Sequence, residues 1–384
     1  MPKRNICLIS RSIYPKCVAD HSQNILTFNG WLRFWDTVTI IAQNSSNRSI
    51  NSSVGNIFGF LLPSLRNRYL NFILFNILAI LKIYSLNKKS NFKAFQASDA
   101  GAAFAAYFLS RILRKKFIFE VQGDIFNYPG KVGGYIHSSL VKTMSRLIVK
   151  RADYIRIVSP FLLEPILQFG VERKKIFLVP PRCDSNLFNK KNVRKIEEGI
   201  FHQDKFNFIF IGNLLIAKGV DYLIEAFNIA LKEDNRLRLI MIGEGIEKKN
   251  LIKRINELNI EEYVHFCGRV DYNLIPSYLY YSDALVLPSI EEGVGRVIIE
   301  SFAMKTPVIA SNVGGIPLVI DDHINGLLFE PEDTSSLKKK MLYLKNNISI
   351  REKFKESGYQ KFKENFDYEV SMKKFLEMYK VIFN

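Results

Sequence analysis

The chain has 384 residues, 48% of them hydrophobic, and a formal net charge of +17. That length exceeds what one hydrophobic core usually supports, so two domains are expected, and the composition excludes collagenous and disordered classes. Cys7, Cys17, Cys183 and Cys267 lie far apart with no Cys-x-x-Cys pair, which argues against a disulfide framework or zinc site and suits a reducing cytoplasm.

Met1 to Ser10 starts basic like a signal peptide, but its apolar run is shorter than a signal core of roughly 7–15 residues. It reads as a first buried strand, Ile6–Ser10. Further strands are expected at Val38–Ala42, Phe92–Ala97, Phe117–Gln122, Tyr154–Ser159 and Ile176–Pro180, and Asn44–Ser53 reads as an exposed loop. Tyr69–Leu81, interrupted by Asn71 and Asn76 and closed by Lys82, falls short of the ~18–20 apolar residues that cross a bilayer, so no spanning segment is predicted. Two readings stay open for it: a buried core helix, or an interfacial helix behind Arg66 and Arg68. Arg111, Arg114, Lys115 and Lys116 form a second basic cluster.

The second half is more regular. Strands Phe206–Gly212, Leu237–Gly243, Val264–Gly268, Ala284–Pro288 and Pro307–Ser311 alternate with helical patterns such as Asp221–Lys232, Glu247–Leu258 and Val294–Ala303. Continuous apolar strands between helices predict a parallel sheet covered on both faces. The fold class is therefore α/β, two Rossmann-like doubly wound domains, joined in the polar segment Asn186–Asp204. The strand-end segments Gly212–Gly219, Gly243–Gly245, Gly268–Val270 and Ser289–Gly295 are expected to face one crevice between the domains.

Charge divides unevenly. Residues 1–190 hold 27 Lys+Arg against 9 Asp+Glu, residues 191–384 hold 27 against 28, so the excess sits in the first half. Such asymmetry suggests an anionic partner: nucleic acid, a membrane surface or a phosphorylated substrate. No recognisable nucleic-acid module accompanies it, so nucleic acid is not expected.

Two elements carry chemistry. A strand ending at Gly212 leads through Lys218-Gly219 into a helix, which suits phosphate; a solvated loop lysine is the equal alternative. Glu292 and Glu300 flank Gly293 and Gly295, and the following helix would offer its N-terminus to a diphosphate. Glu300, two turns in and on the same helical face as Glu292, could accept ribose hydroxyls, or the pair could be a surface cap and a satisfied core carboxylate.

Pro288-Ser289-x-x-Glu292-Gly293-x-Gly295-x-Val297-x-x-Glu300, then Thr306–Ser311, Gly314-Gly315-Ile316-Pro317 and Asn325-Gly326-Leu327-Leu328, resemble the retaining glycosyltransferase family 4. The likeness extends upstream through Gly212…Lys218-Gly219, Ile242-Gly243-Glu244-Gly245, Gly268-Arg269-Val270 and Ala152-Asp153-Tyr154. It implies the GT-B fold, two domains facing a central cleft with the helical stretch Phe366–Phe383 crossing back onto the first. The implied division is an acceptor-binding domain 1–190 with 366–384 packed back, and a nucleotide-sugar domain 191–365.

The resemblance implies catalytic roles for Lys218, which would neutralise the donor diphosphate, and Glu292, which would contact the transferred sugar. Glu300 would bind the ribose, Gly293, Val294, Gly295 and Arg296 the phosphates, and Arg269 and Val270 the base, with Asn213, Glu244 and Gln122 completing the donor site. The chain departs from the family where Asn213 replaces an arginine, Gln122 a histidine and Leu318 an acidic residue, and a glycine pair is missing from Ser12 to Ser22. Arg296 or Arg182 could supply the charge lost at Asn213.

No Asp-x-Asp pair occurs, so no metal and no cofactor is expected, only a UDP- or GDP-sugar substrate. The implied function is retaining transfer to a glycan, such as a polyprenyl-diphosphate-linked acceptor, in bacterial surface polysaccharide synthesis. The basic half fits an enzyme that is cytoplasmic and peripheral on the inner face of the cell membrane. The alternatives are another activity on this fold, inverting transfer or epimerisation, and a non-catalytic sugar-nucleotide-binding or scaffold partner of a glycan-assembly complex.

Overall fold

In the computed structural model, which describes residues 3–13, 22–44, 48–122 and 135–384, the chain divides into two compact units. One comprises Met1–Val179 with Met372–Asn384, the other Pro180–Ser371.

Among its described residues the first unit holds β1 (Asn5–Ile13), β2 (Thr37–Gln43), β3 (Ile50–Val54), β4 (Ile57–Leu62), β5 (Ala94–Ala97), β6 (Lys116–Val121), β7 (Tyr154–Ile157) and β8 (Ile176–Leu178). They form one sheet in the order β3-β4-β2-β1-β5-β6-β7-β8, parallel except where β3 pairs antiparallel with β4. Helices α1 (Ser22–Trp31), α2 (Arg68–Ser90), α3 (Ala100–Ile112), α4 (Tyr135–Arg151) and α5 (Leu163–Gln168) make the connections. The six strands expected in this half are present. The hairpin β3–β4 was not expected: β3 begins inside the Asn/Ser-rich stretch that reads as a loop, because an edge strand tolerates polar residues that still complete the ladder. The loop between Ser12 and Ser22, apart from its ends, and Gly123 and Asp124 lie outside the described residues, as do residues 45–47.

Helix α2 outruns the apolar stretch that announced it. The Asn67 side chain caps its start by accepting from the Tyr69 and Leu70 amides, and Asn91, left-handed at φ 45°, ends it. Tyr69–Ser90 is thereby long and apolar enough to cross a membrane by length and composition, contrary to the sequence expectation. In this fold it covers the sheet, with Phe75, Ala79 and Ile83 fully buried. The two asparagines that interrupt its hydrophobic run are its anchors. Gln43 Nε2 of β2 donates to Asn71 Oδ1 at 2.9 Å, and Asn76 accepts from the Ala105 amide of α3 at 3.1 Å.

The second unit holds β9 (Phe206–Ile211), β10 (Leu237–Ile242), β11 (Val264–Gly268), β12 (Ala284–Leu287), β13 (Val308–Ser311) and β14 (Leu327–Phe329), all parallel, in the order β11-β10-β9-β12-β13-β14. Renumbered from its first strand this is 3-2-1-4-5-6, the dinucleotide-binding order, with the reversal between β9 and β12. Buried strands such as Ala284–Leu287 are apolar throughout because helices cover both faces. Those helices are α6 (Val220–Leu231), α7 (Lys248–Glu257), α8 (Ile275–Tyr281), α9 (Arg296–Ala303), α10 (Thr334–Asn346) and α11 (Ile348–Asn365).

A last helix, α12 (Tyr368–Phe383), passes into the first unit at Met372. Its buried Met372, Phe375, Tyr379 and Ile382 fall at helical spacing. Phe375 packs on Trp31 with ring centroids 5.3 Å apart, and Tyr379 on Trp35 at 5.2 Å. The unit boundaries fall before Pro180 and after Ser371, not at 190/191 and 365/366. Residues 180–190 cluster with the second unit because the Cys183 amide donates to Phe366 O at 2.9 Å and the Phe188 ring meets Tyr272 at 5.5 Å.

Candidate functional site

Each expected site residue of the second unit follows a strand. Asn213 and Lys218 lie between β9 and α6, and Glu244 between β10 and α7. Arg269 and Val270 follow β11, Glu292 to Gly295 lie between β12 and α9, and Arg296 and Glu300 are on α9. Parallel strands deliver these loops to one edge of the sheet. Backbone bonds join them there: Leu214 N donates to Glu244 O at 3.0 Å, Gly243 N to Gly268 O at 2.8 Å, and Ile290 N to Ala217 O at 2.9 Å.

Because β9 and β12 flank the reversal, Lys218 and Glu292 meet across it. Lys218 Nζ donates to Glu292 Oε2 at 2.6 Å, and the side chains are 23% and 15% exposed. Ser289 Oγ reaches the same oxygen at 3.3 Å, and the Gly293 amide donates to Oε1 at 3.1 Å. Two glycines seat the Glu292 loop. Gly219, at φ +57°, would drive a Cβ to 2.2 Å from Pro288 O, and Gly314, at φ +54°, to 1.9 Å from Glu292 O. A side chain at Gly219 would push the Lys218 and Glu292 loops apart, and one at Gly314 would push the Glu292 loop away from the segment after β13.

Helix α9 begins at Arg296, two residues later than expected, after Gly295 in the left-handed region with no side-chain cap. Glu292 therefore lies in the preceding loop, and the expectation that it shares a helical face with Glu300 is corrected. Glu300 sits about one turn in, not two. It is buried at 7% exposure, accepts from the Tyr272 hydroxyl at 2.8 Å, and lies 4.0 Å from Arg296 Nη2. Burial raises its carboxyl pKa, opposed by the Arg296 charge and the Tyr272 hydrogen bond. Burial, and then the Glu300 charge, push the Tyr272 phenol well up, so it stays a donor.

The remaining residues divide by exposure. Asn213, Arg269 and Arg296 are exposed at the sheet edge and Val270 is half-buried. Glu244 accepts from Lys248 Nζ at 2.7 Å. Leu318 is 41% exposed in a short turn, and Arg182 is half-buried. Gln122 belongs to the first unit, where its amide donates to Glu120 Oε2 at 3.2 Å. Tyr272 and Ser289, which hold the two carboxylates, were given no role from sequence: a tyrosine after a turn carries no motif, and Ser289 read as part of a strand end and of the resembling motif without a task of its own.

A family described as "Glycosyl transferases group 1" matches residues 192–361. An uncharacterized glycosyltransferase of Methanocaldococcus jannaschii is 32% identical over 49% of this chain and 53% of its own length. The chain thus spans about half the length of that curated relative. The sucrose-phosphate synthase of Thermosynechococcus elongatus superposes at a TM-score of 0.83 over 99% of both chains with 18% identity. Anabaena HepE in complex with UDP-glucose superposes at 0.77 over 98% of this chain and 99% of its own, with 17% identity. At such identities these two likenesses are of fold, which is GT-B. Residues 192–361, which gather Lys218, Glu292 and Glu300 at one sheet edge, are thus the part of the chain that is similar to the group 1 glycosyl transferases.

Proposed function

We propose that this protein transfers a sugar, with retention of anomeric configuration, from a UDP- or GDP-sugar to a glycan acceptor. The observation that carries the reading is the Lys218–Glu292 pair at the strand-order reversal, half-open and adjoining the uncapped start of α9. In the free protein the two charges satisfy each other. A donor would divide them, its diphosphate taking the ammonium and α9 amides, and its sugar hydroxyls the Glu292 carboxylate. Glu300, steadied by Tyr272, would accept the ribose hydroxyls. The UDP-glucose bound by the Anabaena neighbour supports a nucleotide-sugar donor here.

In the transfer the bond from the anomeric carbon to the β-phosphate oxygen breaks and its electrons leave with the nucleotide diphosphate. The acceptor oxygen bonds to the same face of the sugar, and its proton passes to the leaving phosphate. Lys218 and the helix amides stabilise the charge that develops there. We further place the acceptor among lipid-linked glycans of a bacterial surface polysaccharide, with the first unit contributing its site, on the strength of that unit's excess positive charge. Asn213, exposed where the resembling family carries arginine, favours the second reading of a non-catalytic donor-binding partner.

A panel of UDP- and GDP-sugars, read by nucleotide release and by NMR of the product anomer, tests both. Turnover with an inverted product sinks retention. Calorimetric binding without turnover, across many acceptors, establishes the second reading. Undiminished transfer by Lys218→Ala or Glu300→Ala removes the site assignment.

A further inference from the structure

Helices that cover a sheet normally turn polar residues to water, and α2 does not. Tyr69, Leu70, Ile73, Ile77, Leu81 and Tyr84 are 45% to 62% exposed. From Leu70 onward they fall at helical spacing, opposite the buried Phe75, Ala79 and Ile83. Its neighbour α3 adds Phe104, Phe108 and Ile112, 45% to 53% exposed, at every fourth position. The two helices pack side by side, tied by Asn76 to the start of α3, and as successive right-handed crossovers they lie on the same face of the sheet. A contiguous apolar surface of this kind marks an interaction site.

The charges around it have one sign. Helices α2, α3 and α4 contain nine Lys and Arg and no Asp or Glu. Between Asp36 and Asp99 the chain carries no acidic residue but has Arg48, Arg66, Arg68, Lys82, Lys88, Lys89 and Lys93. Lys88 and Lys89 close the last turn of α2, with Lys88 Nζ 5.5 Å from the Tyr84 ring centroid, and Lys82 Nζ is 4.3 Å from that of Phe60. Ammonium groups lifted over aromatic rings beside exposed leucine and isoleucine fit a surface that is greasy inside and anionic at its boundary. Arg111 is the partial exception, since its guanidinium pairs with Asp153 at 2.9 Å.

We propose that the outer face of α2 and α3 docks in the plane of an anionic lipid bilayer, apolar stripes among the acyl chains and lysines at the headgroups. A protein partner or second copy would need acidic residues to answer this rim, and the stripe of α2 is surrounded by none of its own. Crossing the bilayer would instead strip Phe75 and Asn71 from the sheet and Asn76 from α3.

Flotation of the full chain with phosphatidylglycerol vesicles, against phosphatidylcholine, is the test. Binding to the anionic vesicles, released by salt, is expected. Ile73→Glu with Ile77→Glu should weaken it more than roughly tenfold, and so should Lys88→Glu with Lys89→Glu, at roughly fivefold per charge lost. Both pairs are exposed, and unchanged circular dichroism and thermal unfolding verify folding. Three results overturn the assignment: a parent that stays with the buffer at low salt, equal binding to both lipids, or parent-like flotation of either folded variant. A dimer in sedimentation that Ile73→Glu with Ile77→Glu dissolves, without flotation by the parent, gives the face to a second copy. Vesicle binding needs no donor and sugar transfer to a water-soluble acceptor needs no vesicle, so either reading fails on its own.

Discussion

Each unit holds a cation–carboxylate pair close to the carboxyl end of its parallel sheet, and the two pairs have opposite surroundings. Glu120 of β6 and Arg156 of β7 are register partners 3.1 Å apart, with side chains 5% and 6% exposed. Gln96 and Gln122 donate to the Glu120 carboxylate, while Arg156 donates to Val179 O and stacks on Phe375 of α12 at 4.5 Å. Tyr379 of α12 closes the network on Gln96 at 2.8 Å. Lys218 and Glu292 come from loops 74 positions apart and remain 23% and 15% exposed, with Ser289 and the Gly293 amide as further hydrogen-bond partners of the carboxylate among the described residues. An enclosed pair with several partners holds structure together; a half-open one can exchange its partner for a ligand.

The sharpest way to break this contrast is to remove the cation from each pair. Arg156→Leu leaves the Glu120 charge buried and should cost about 3–5 kcal/mol of stability, read as a lowered urea midpoint, because an uncompensated buried charge is worse than no pair at all. Docking of α12 should loosen with it, since Phe375 loses its cation; faster hydrogen exchange across Met372–Phe383 would register that. Lys218→Ala leaves Glu292 reachable by water, so stability should move by less than about 1 kcal/mol. Transfer should fall by roughly a hundred- to a thousandfold, as for loss of one preorganised charge at a leaving group. If Lys218→Ala unfolded the protein and Arg156→Leu did not, the contrast would be wrong.

The sequence carried these two pairs unequally. Lys218, Glu292 and Glu300 were legible because each sits beside glycines and strand ends whose spacing is itself informative, and the structure brings all three to one sheet edge. Neither Glu120 nor Arg156 stood out: a charged residue within an apolar strand has no local partner to announce it, and its meaning depends on which strand pairs with which. The same limit hid the hairpin β3–β4, an edge whose polar residues resemble a loop, and the true end of α2, where Asn91 and not the Lys82 charge stops the helix. Periodicity revealed the α12 face correctly, but not that residues 180–190 would cluster with the second unit through Cys183 and Phe188.

A smaller effect separates the two carboxylates within the proposed donor site. Glu300 is buried where Glu292 is half-open, and burial raises the Glu300 carboxyl above its ordinary value of 4.5. Under the proposed function ribose hydroxyls would donate to the ionised form, so donor affinity should decline as pH falls, beginning above pH 4.5. Glu300→Gln should weaken donor binding roughly tenfold at neutral pH, the loss of one charge-assisted pair, and should remove that pH dependence. Calorimetric titration with the nucleotide diphosphate between acidic and neutral pH decides it, and an unchanged slope in the variant would assign the dependence elsewhere.

The least of these changes concerns the residue that holds Glu300 in place. Tyr272 donates at 2.8 Å to Glu300 Oε1, and its ring packs on Phe188. Tyr272→Phe keeps the ring contact and deletes only the hydroxyl. One lost hydrogen bond of about 1 kcal/mol should weaken donor binding by roughly fivefold. It also withdraws an influence that lowers the Glu300 pKa, so the acid-side loss of affinity should move to higher pH than in the parent. That displacement is what a purely structural tyrosine would not produce: a variant whose affinity dropped uniformly at every pH would show Tyr272 acting through packing alone, while a shifted titration with kcat unchanged makes it the positioning residue for the ribose carboxylate.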